Sequence, residues 1–205
     1  SETNIDFLAT YAKSLQDFSL SLSVGGNARN STNRFISESS RGGTGLVIPG
    51  LYTLQNIATA NIQYSSSQSK KVVYSAYGMA NVGYKDMIYL DLTARNDWFS
   101  TLSPANRSIF YPSVSGSYVF SQAFDNMPSW LTFGKLRAAV AEVGSDTDVS
   151  PYSNNLFYGI NPNLFANPAG ALQPVGGGQG NVVPNAGLKP MRTRESEIGL
   201  ELKMF

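Results

Sequence analysis

The sequence contains no cysteine and no histidine. Without cysteine there is neither a disulfide framework nor a thiolate metal site. Without histidine the usual general base and the commonest zinc ligand are missing. Charged residues make up 14 % of the 205 positions, against roughly a quarter in an ordinary soluble domain. The net charge of +1 argues against a nucleic-acid footprint and against a polybasic membrane patch. No run of 18 apolar residues occurs, so no membrane-spanning helix is expected. A start with positive charge followed by an apolar stretch, the mark of a signal peptide, is also lacking. What the sequence does have is 42 % hydrophobic residues among abundant Ser, Asn, Gly and Tyr, a mixture suited to strands with one apolar and one small-polar face.

Period-two alternation dominates. Ile5, Phe7, Ala9 and Tyr11 alternate with Asp6, Leu8, Thr10 and Ala12, and Phe18, Leu20, Leu22 and Val24 with Asp17, Ser19, Ser21 and Ser23. From about Lys70 to Tyr84, Tyr74, Ala76, Gly78, Ala80, Val82 and Tyr84 share a face opposite Ser75, Tyr77, Met79 and Asn81. Ile88, Leu90, Leu92 and Ala94 oppose Tyr89, Asp91, Thr93, Arg95 and Asp97. Phe110, Val114, Tyr118 and Phe120 oppose Ser113, Ser115, Ser117 and Ser121. Leu136, Ala138 and Val140 oppose Lys135, Arg137, Ala139 and Ala141, and Ile198, Leu200, Leu202 and Met204 oppose Glu197, Gly199, Glu201 and Lys203.

The connections sort by parity. Short turns are expected near Ser14–Gln16, Lys85–Asp86 and Gln122–Trp130, and long Gly/Ser/Asn/Pro-rich stretches at about 29–69, 99–108 and 144–189. Outer-membrane barrels pair short periplasmic turns with longer extracellular loops. Tyr74 and Tyr84, Phe110 and Phe120, and Ile88 and Trp98 each lie ten residues apart on one face. At about 3.3 Å per residue and roughly 40° tilt this spans about 25 Å, the height of a lipid-facing apolar band between aromatic girdles. Asn96 departs from the apolar parity near a girdle, where polar groups are tolerated. The fold class expected is therefore all-β, a transmembrane antiparallel barrel segment. A soluble β-sandwich explains the alternation but not the loop parity or the aromatic spacing. Seven strands neither match the even count of single-chain bacterial barrels nor close without edges in lipid. Since an exported protein needs a signal peptide, the chain is expected to be a matured or internal piece of something longer.

Four stretches resemble SusC/RagA-type TonB-dependent transporters of Bacteroidetes: YLDLTARNDWFSTL (Tyr89–Leu102), FYPSVSGSYVFSQAF (Phe110–Phe124), LTFGKLRAAVAEVGSDTD (Leu131–Asp148) and NAGLKPMRTRESEIGLELKMF (Asn185–Phe205). Their order and spacing match as well. The resemblance covers most of 70–205 and, more loosely, 5–28. It implies a 22-stranded barrel of the outer membrane of a Gram-negative bacterium, with a plug inside and extracellular loops. It also implies energy from the TonB complex through an N-terminal box, and a SusD-like surface lipoprotein as lid. Oligosaccharides or peptides are the implied substrates, and no enzyme activity is implied. Residues 1–205 read as part of the barrel domain, without plug or TonB box. Where the family often reads N-P-N-L-K-P-E, this sequence reads Asn185-Ala186-Gly187-Leu188-Lys189-Pro190-Met191. The terminal Phe205 resembles the aromatic end of a complete barrel, but the family continues with further strands.

Several constellations are candidates for function. Asp91, Arg95 and Asp97 share the lumen-facing parity of one strand, as do Lys135 and Arg137 with Glu197 and Glu201 on the next. They read either as structural cross-strand pairs or as contacts that hold and release a plug. Asp146 and Asp148, with Ser145 and Thr147, offer oxygen ligands to calcium or form an ordinary polar turn. The glycine runs at Gly42–Gly45 and Gly176–Gly180 lack the Lys-Ser/Thr of a phosphate loop and read as flexible loop. Tyr52, Trp98, Phe99, Tyr152, Asn154, Asn155, Phe157, Tyr158 and Phe165 are placed in the long loops. There, aromatic faces and amides suit sugar rings or a protein partner, or else pack the loops together. No paired carboxylates and no nucleophile–base arrangement stand out. The leading expectation is a SusC-like importer's barrel wall. A passive porin or adhesin barrel segment and a soluble carbohydrate-binding β-domain remain open, and nucleic acid is not an expected partner.

Overall fold

The structure, a computed structural model, describes residues 1–42, 45–124, 128–146, 149–156, 158–178, 183–185 and 187–205. Seven antiparallel strands form one sheet in the order β1-β2-β3-β4-β5-β6-β9. They are β1 (Glu2–Leu15), β2 (Phe18–Ser40), β3 (Ile62–Tyr84), β4 (Ile88–Phe99), β5 (Ser108–Tyr118), β6 (Leu131–Ser145) and β9 (Met191–Met204). Two further strands, β7 (Tyr158–Ala166) and β8 (Leu172–Gly178), form a separate ribbon between β6 and β9. The all-β antiparallel class and the seven strands of the sheet agree with the sequence pattern.

The strands are meandering neighbours because their connections are short on one side. Gln16 between β1 and β2, and Lys85 and Asp86 between β3 and β4, adopt positive φ, which lets the chain reverse within two or three residues. The Lys85 amide donates to the Asp17 carbonyl at 2.7 Å, tying these two turns together. The third short connection carries a 3-10 turn at Phe120–Gln122.

Three features differ from the sequence pattern. The segment expected as loop at 29–69 is largely strand, because β2 and β3 are each 23 residues long and stay in register from Ser40↔Ile62 to Phe18↔Tyr84. The segment expected as loop at 144–189 contains the β7–β8 ribbon, and Gly176–Gly178 lie in β8 rather than in a flexible run. Finally, β5 ends at Tyr118, so Phe120 is not in the strand. Its ring instead lies over Gly134 of β6, where a Cβ would overlap it. Gly134 shares the parity of Leu136, so Phe120 still sits on the apolar face.

The two faces of the sheet are chemically opposite. Tyr74 is 58 % exposed while its neighbours Val73 and Ser75 are 4 % and 6 % exposed; Trp98 is 37 % exposed beside Asp97 at 5 %. Apolar side chains such as Ile5, Phe7, Val24, Phe110, Leu200 and Ile198 are exposed on one parity. Burying such groups stabilises a soluble fold, so a surface built from them suits lipid as solvent. Register partners repeat the pattern across the sheet: Tyr11, Leu22, Ala80, Leu92, Val114 and Val140 form one row. Leu136 pairs with Tyr118, the last residue of β5, although β6 itself begins five residues earlier at Leu131. That stagger is what tilted barrel strands require.

Candidate functional site: the concave wall

The polar parity faces a hollow. Asp6 of β1, Asn27 and Arg29 of β2, Lys71 and Tyr77 of β3, Arg95 and Asp97 of β4, and Asp146 beyond β6 line one depression of about 440 Å³. Strands lie about 4.8 Å apart, so β1 and the end of β6 could not share a hollow on a flat sheet. The sheet therefore curls with its polar face inward, as a barrel wall does.

At the centre of this wall Asp97 accepts a bond from Arg95 Nε at 2.8 Å and one from the Tyr111 hydroxyl at 2.5 Å. Arg95 also donates to Ser75 Oγ at 3.0 Å, and its guanidinium lies 5.7 Å from the centre of the Tyr77 ring. Tyr77 in turn rests on Gly25, which has no side chain to obstruct it. Bonds to a charged acceptor are the stronger kind, and four strands share this cluster. Further down, Asp91 accepts from Asn81 at 2.6 Å and from Ser115 at 3.2 Å. Asp91, Lys135, Arg137 and Glu197 line a second hollow of about 240 Å³. Arg137 pairs with Glu197 at 2.6 Å, and Lys135 faces Glu201 in register. The seven charged residues singled out by parity thus lie on one wall, in an upper and a lower group.

The rim of the wall is closed by a small apolar cluster of Val73, Phe99, Leu102 and Ile109, against which Tyr111, Val149 and Leu188 pack. Ile109 fills the space left by Gly144. The β5–β6 ladder stops at Ser113↔Ala141, beside Pro112, which has no N–H to give. The apolar cluster occupies the gap above. Val149 and Leu188 belong to the two ends of the β6–β9 connection, so the cluster pins both ends to the rim. An ion pair adds to this at the β6 end. Asp146, its side chain 3 % exposed, binds Lys71 Nζ at 2.7 Å and also the Thr101 hydroxyl.

Asp146 therefore turns its oxygens to Lys71 and Thr101; Thr147 and Asp148, the rest of the calcium candidate, lie outside the described residues. Among the described residues no group of three or more acidic side chains is gathered for a metal. Trp98 and Phe99 are strand rather than loop residues. Trp98 stands on the apolar face, and Phe99 is buried in the rim cluster. Tyr52 is exposed in the β2–β3 connection, Tyr152 is half exposed with positive φ, and Phe165 is exposed on β7. Tyr158 lies in β7, Phe157 lies outside the described residues, and Asn154 and Asn155 line a hollow with Lys70 and Ser100. Tyr152 shares that hollow with Asn154 and Asn155, whereas Tyr52 and Phe165 stand on other elements. Arg29, Lys71, Tyr77 and Tyr111 are wall residues that the charge pattern alone did not pick out. Their lumen parity was the available signal.

Residues 2–205 match a family model described as TonB dependent receptor-like, beta-barrel. A curated relative, TonB-dependent receptor P26 of Formosa agariphila, is 29 % identical over 185 residues, covering 89 % of this chain and 18 % of the relative. The fold is similar to that of the RagAB peptide transporter, with a TM-score of 0.79 and 19 % identity over the whole chain and 22 % of that structure. The RagAB peptide importer in its open-open state gives 0.76 and 20 %, over 21 % of its length. The chain spans about a fifth of the length of these relatives.

Proposed function

The chain belongs to the TonB dependent receptor-like β-barrel family, and from that premise we propose that it forms part of the wall of an importer of oligosaccharides or peptides. The family is one of outer-membrane transporters, not enzymes. The observation that carries the proposal is the division between the faces. An exposed apolar face suits lipid. The opposite, concave face holds Arg95, Asp97, Tyr111 and Lys71 in bonded clusters, as a wall against a polar lumen and a plug requires.

On this reading Asp91, Arg95, Asp97, Lys135, Arg137, Glu197 and Glu201 present fixed charges toward the plug, and a pull from TonB breaks plug contacts while the wall stays rigid. Residues 1–205 are wall and loop only. Tyr52, Tyr152, Asn154, Phe157, Tyr158 and Phe165 are loop contacts for substrate or for a SusD-like lipoprotein lid. Trp98 is a girdle residue, and Phe99 supports the rim from within. The test is uptake of labelled oligopeptides and oligosaccharides by cells carrying the full-length receptor, with and without TonB. The proposal expects one substrate class to be taken up only with TonB. Uptake that persists unchanged without TonB identifies a passive pore instead.

A further inference from the structure

On the β4 side the β2–β3 hairpin outgrows its neighbour. The pairing of β1 with β2 starts at Glu2↔Ser31, and that of β3 with β4 ends at Val73↔Phe99. Residues 62–72 of β3 therefore continue, paired with β2, beyond the end of β4 and above the girdle position of Tyr74, with an edge on the β4 side.

The edge of β3 is aimed in a way the bonds reveal. The Ser100 amide donates to the Val72 carbonyl at 2.9 Å, and the Val72 amide donates to Ser100 Oγ at 2.8 Å. Val72 thus directs both backbone groups to the β4 side. In an antiparallel strand both groups of a residue point the same way and alternate residues repeat it. Lys70, Gln68, Ser66 and Tyr64 consequently present N–H and C=O away from β2, at intervals of about 6.6 Å. Among the described residues none of these groups has a bonding partner, since the β4 ladder has ended and the β4–β5 connection is short.

Exposed edges are usually guarded by charge, proline, a bulge or brevity. β2 carries Arg34 and Glu38 over the same length. Residues 62–69 of β3 (Ile-Gln-Tyr-Ser-Ser-Ser-Gln-Ser) carry no charge and no proline, and the register with β2 runs one-to-one without a bulge. The edge also borders a slot. Lys70 and Val72 face Pro151, Asn154 and Asn155 of the β6–β9 connection across a hollow of about 440 Å³, floored by Ser100 and Thr101. Asn154 Oδ1 is buried there without a hydrogen-bond partner. The far wall of the slot is the β6–β9 connection, so the edge of β3 borders open space.

We infer that the edge of β3 from Tyr64 to Lys70 is a β-augmentation site that receives one extended segment of the lipoprotein lid. A row of alternating main-chain donors and acceptors is matched by another polypeptide backbone and by little else. Side chains on a strand stand off its two faces, so the edge itself leaves that backbone room to approach. Lys70 and Val72 carry the parity of Tyr74, so the slot opens on the outer side of the wall just above the lipid band. A partner anchored in that leaflet reaches it there, whereas a substrate in the lumen meets the other side. The inference rests on the lid reading given above.

The test uses the full-length receptor purified with its lid. Amide exchange over residues 62–71 is followed in the complex and after the lid is removed, and three variants are compared. S66P deletes an N–H that points away from β2 and so spares the hairpin; S66A controls for the side chain. S67P breaks a hairpin bond and shows what ribbon damage looks like. Heat-modifiable migration confirms that each barrel is folded. The inference expects the number of slowly exchanging amides in 62–71 to about double in the complex. It also expects S66P to lower lid retention at least tenfold while S66A retains it fully. Equal retention by S66P and S66A overturns it, as does edge exchange that is the same with and without the lid. A wild-type receptor that holds no lid overturns the lid reading and this inference together. A receptor that holds its lid with an open edge overturns this inference alone.

Discussion

The Lys71–Asp146 pair gives the most discriminating perturbation of the rim. The pair joins residues 75 positions apart at 2.7 Å, with the Asp146 side chain 3 % and the Lys71 side chain 25 % exposed. Replacing Lys71 by Met keeps most of the stem but leaves the buried carboxylate with Thr101 as its one bonded partner among the described residues. Removing one member of a buried pair costs about 3–5 kcal/mol. Water reaches the Lys71 side, so the lower end, about 3 kcal/mol, applies. At 1.36 kcal/mol per decade this raises the local opening equilibrium about a hundredfold. The amide of Val149, which donates to the Asp146 carbonyl at 2.9 Å, reports that opening. Hydrogen exchange over residues 146–156 of the full-length receptor is expected to be about a hundredfold faster in K71M. The double variant K71M/D146N, with no charge left to bury, is expected to recover most of the loss. Exchange in K71M within threefold of wild type refutes the reasoning.

Three further outcomes follow from the same geometry. In D97N the charged acceptor of Arg95 and Tyr111 is lost, with an expected loss of about 2 kcal/mol in urea unfolding; Y111F, which leaves Arg95 paired, costs about half as much. G134A sets a methyl against the Phe120 ring and is expected to destabilise by about 1–3 kcal/mol. F120L in the same chain relieves most of it in a heat-modifiability assay. L92R places a charge on the lipid face and is expected to cost about 2–4 kcal/mol, while T93R on the lumen face is tolerated, as outer-membrane assembly yields will show.

Legibility in the sequence followed the solvent. Where a strand separates lipid from a polar lumen, as in Ile88–Asp97, the two faces differ and alternation reveals both the strand and its inward charges. Residues 29–40 and 62–69 are strand as well, but they carry Ser, Asn and Gln on both faces, so the pattern disappears although the hydrogen bonds continue. The β7–β8 ribbon was hidden for the same reason, with Gly176–Gly178 adding a loop-like composition. Phe120 misled because its parity continues that of Phe110 while the chain has already turned. The candidate wall was readable in part: parity placed Asp91, Arg95, Asp97, Lys135, Arg137, Glu197 and Glu201 on one face. The partnership of Lys71 with Asp146 was not readable, because sheet curvature rather than local spacing brings them together. Phe99 illustrates the converse: its aromatic character suggested a contact residue, whereas inward parity at the rim buries it.

The central claim is that this sheet divides lipid from an aqueous lumen. Residues 1–205 contain no cysteine, so single cysteines introduced at 89–97 of the full-length receptor label one position of this segment at a time. Each is tested in the membrane with a water-soluble thiol reagent and with a fluorophore quenched by lipid-borne groups. The account predicts a period of two: 90, 92, 94 and 96 quenched from lipid, and 89, 91, 93, 95 and 97 on the aqueous side. Uniform labelling, or quenching at the odd positions, would contradict it.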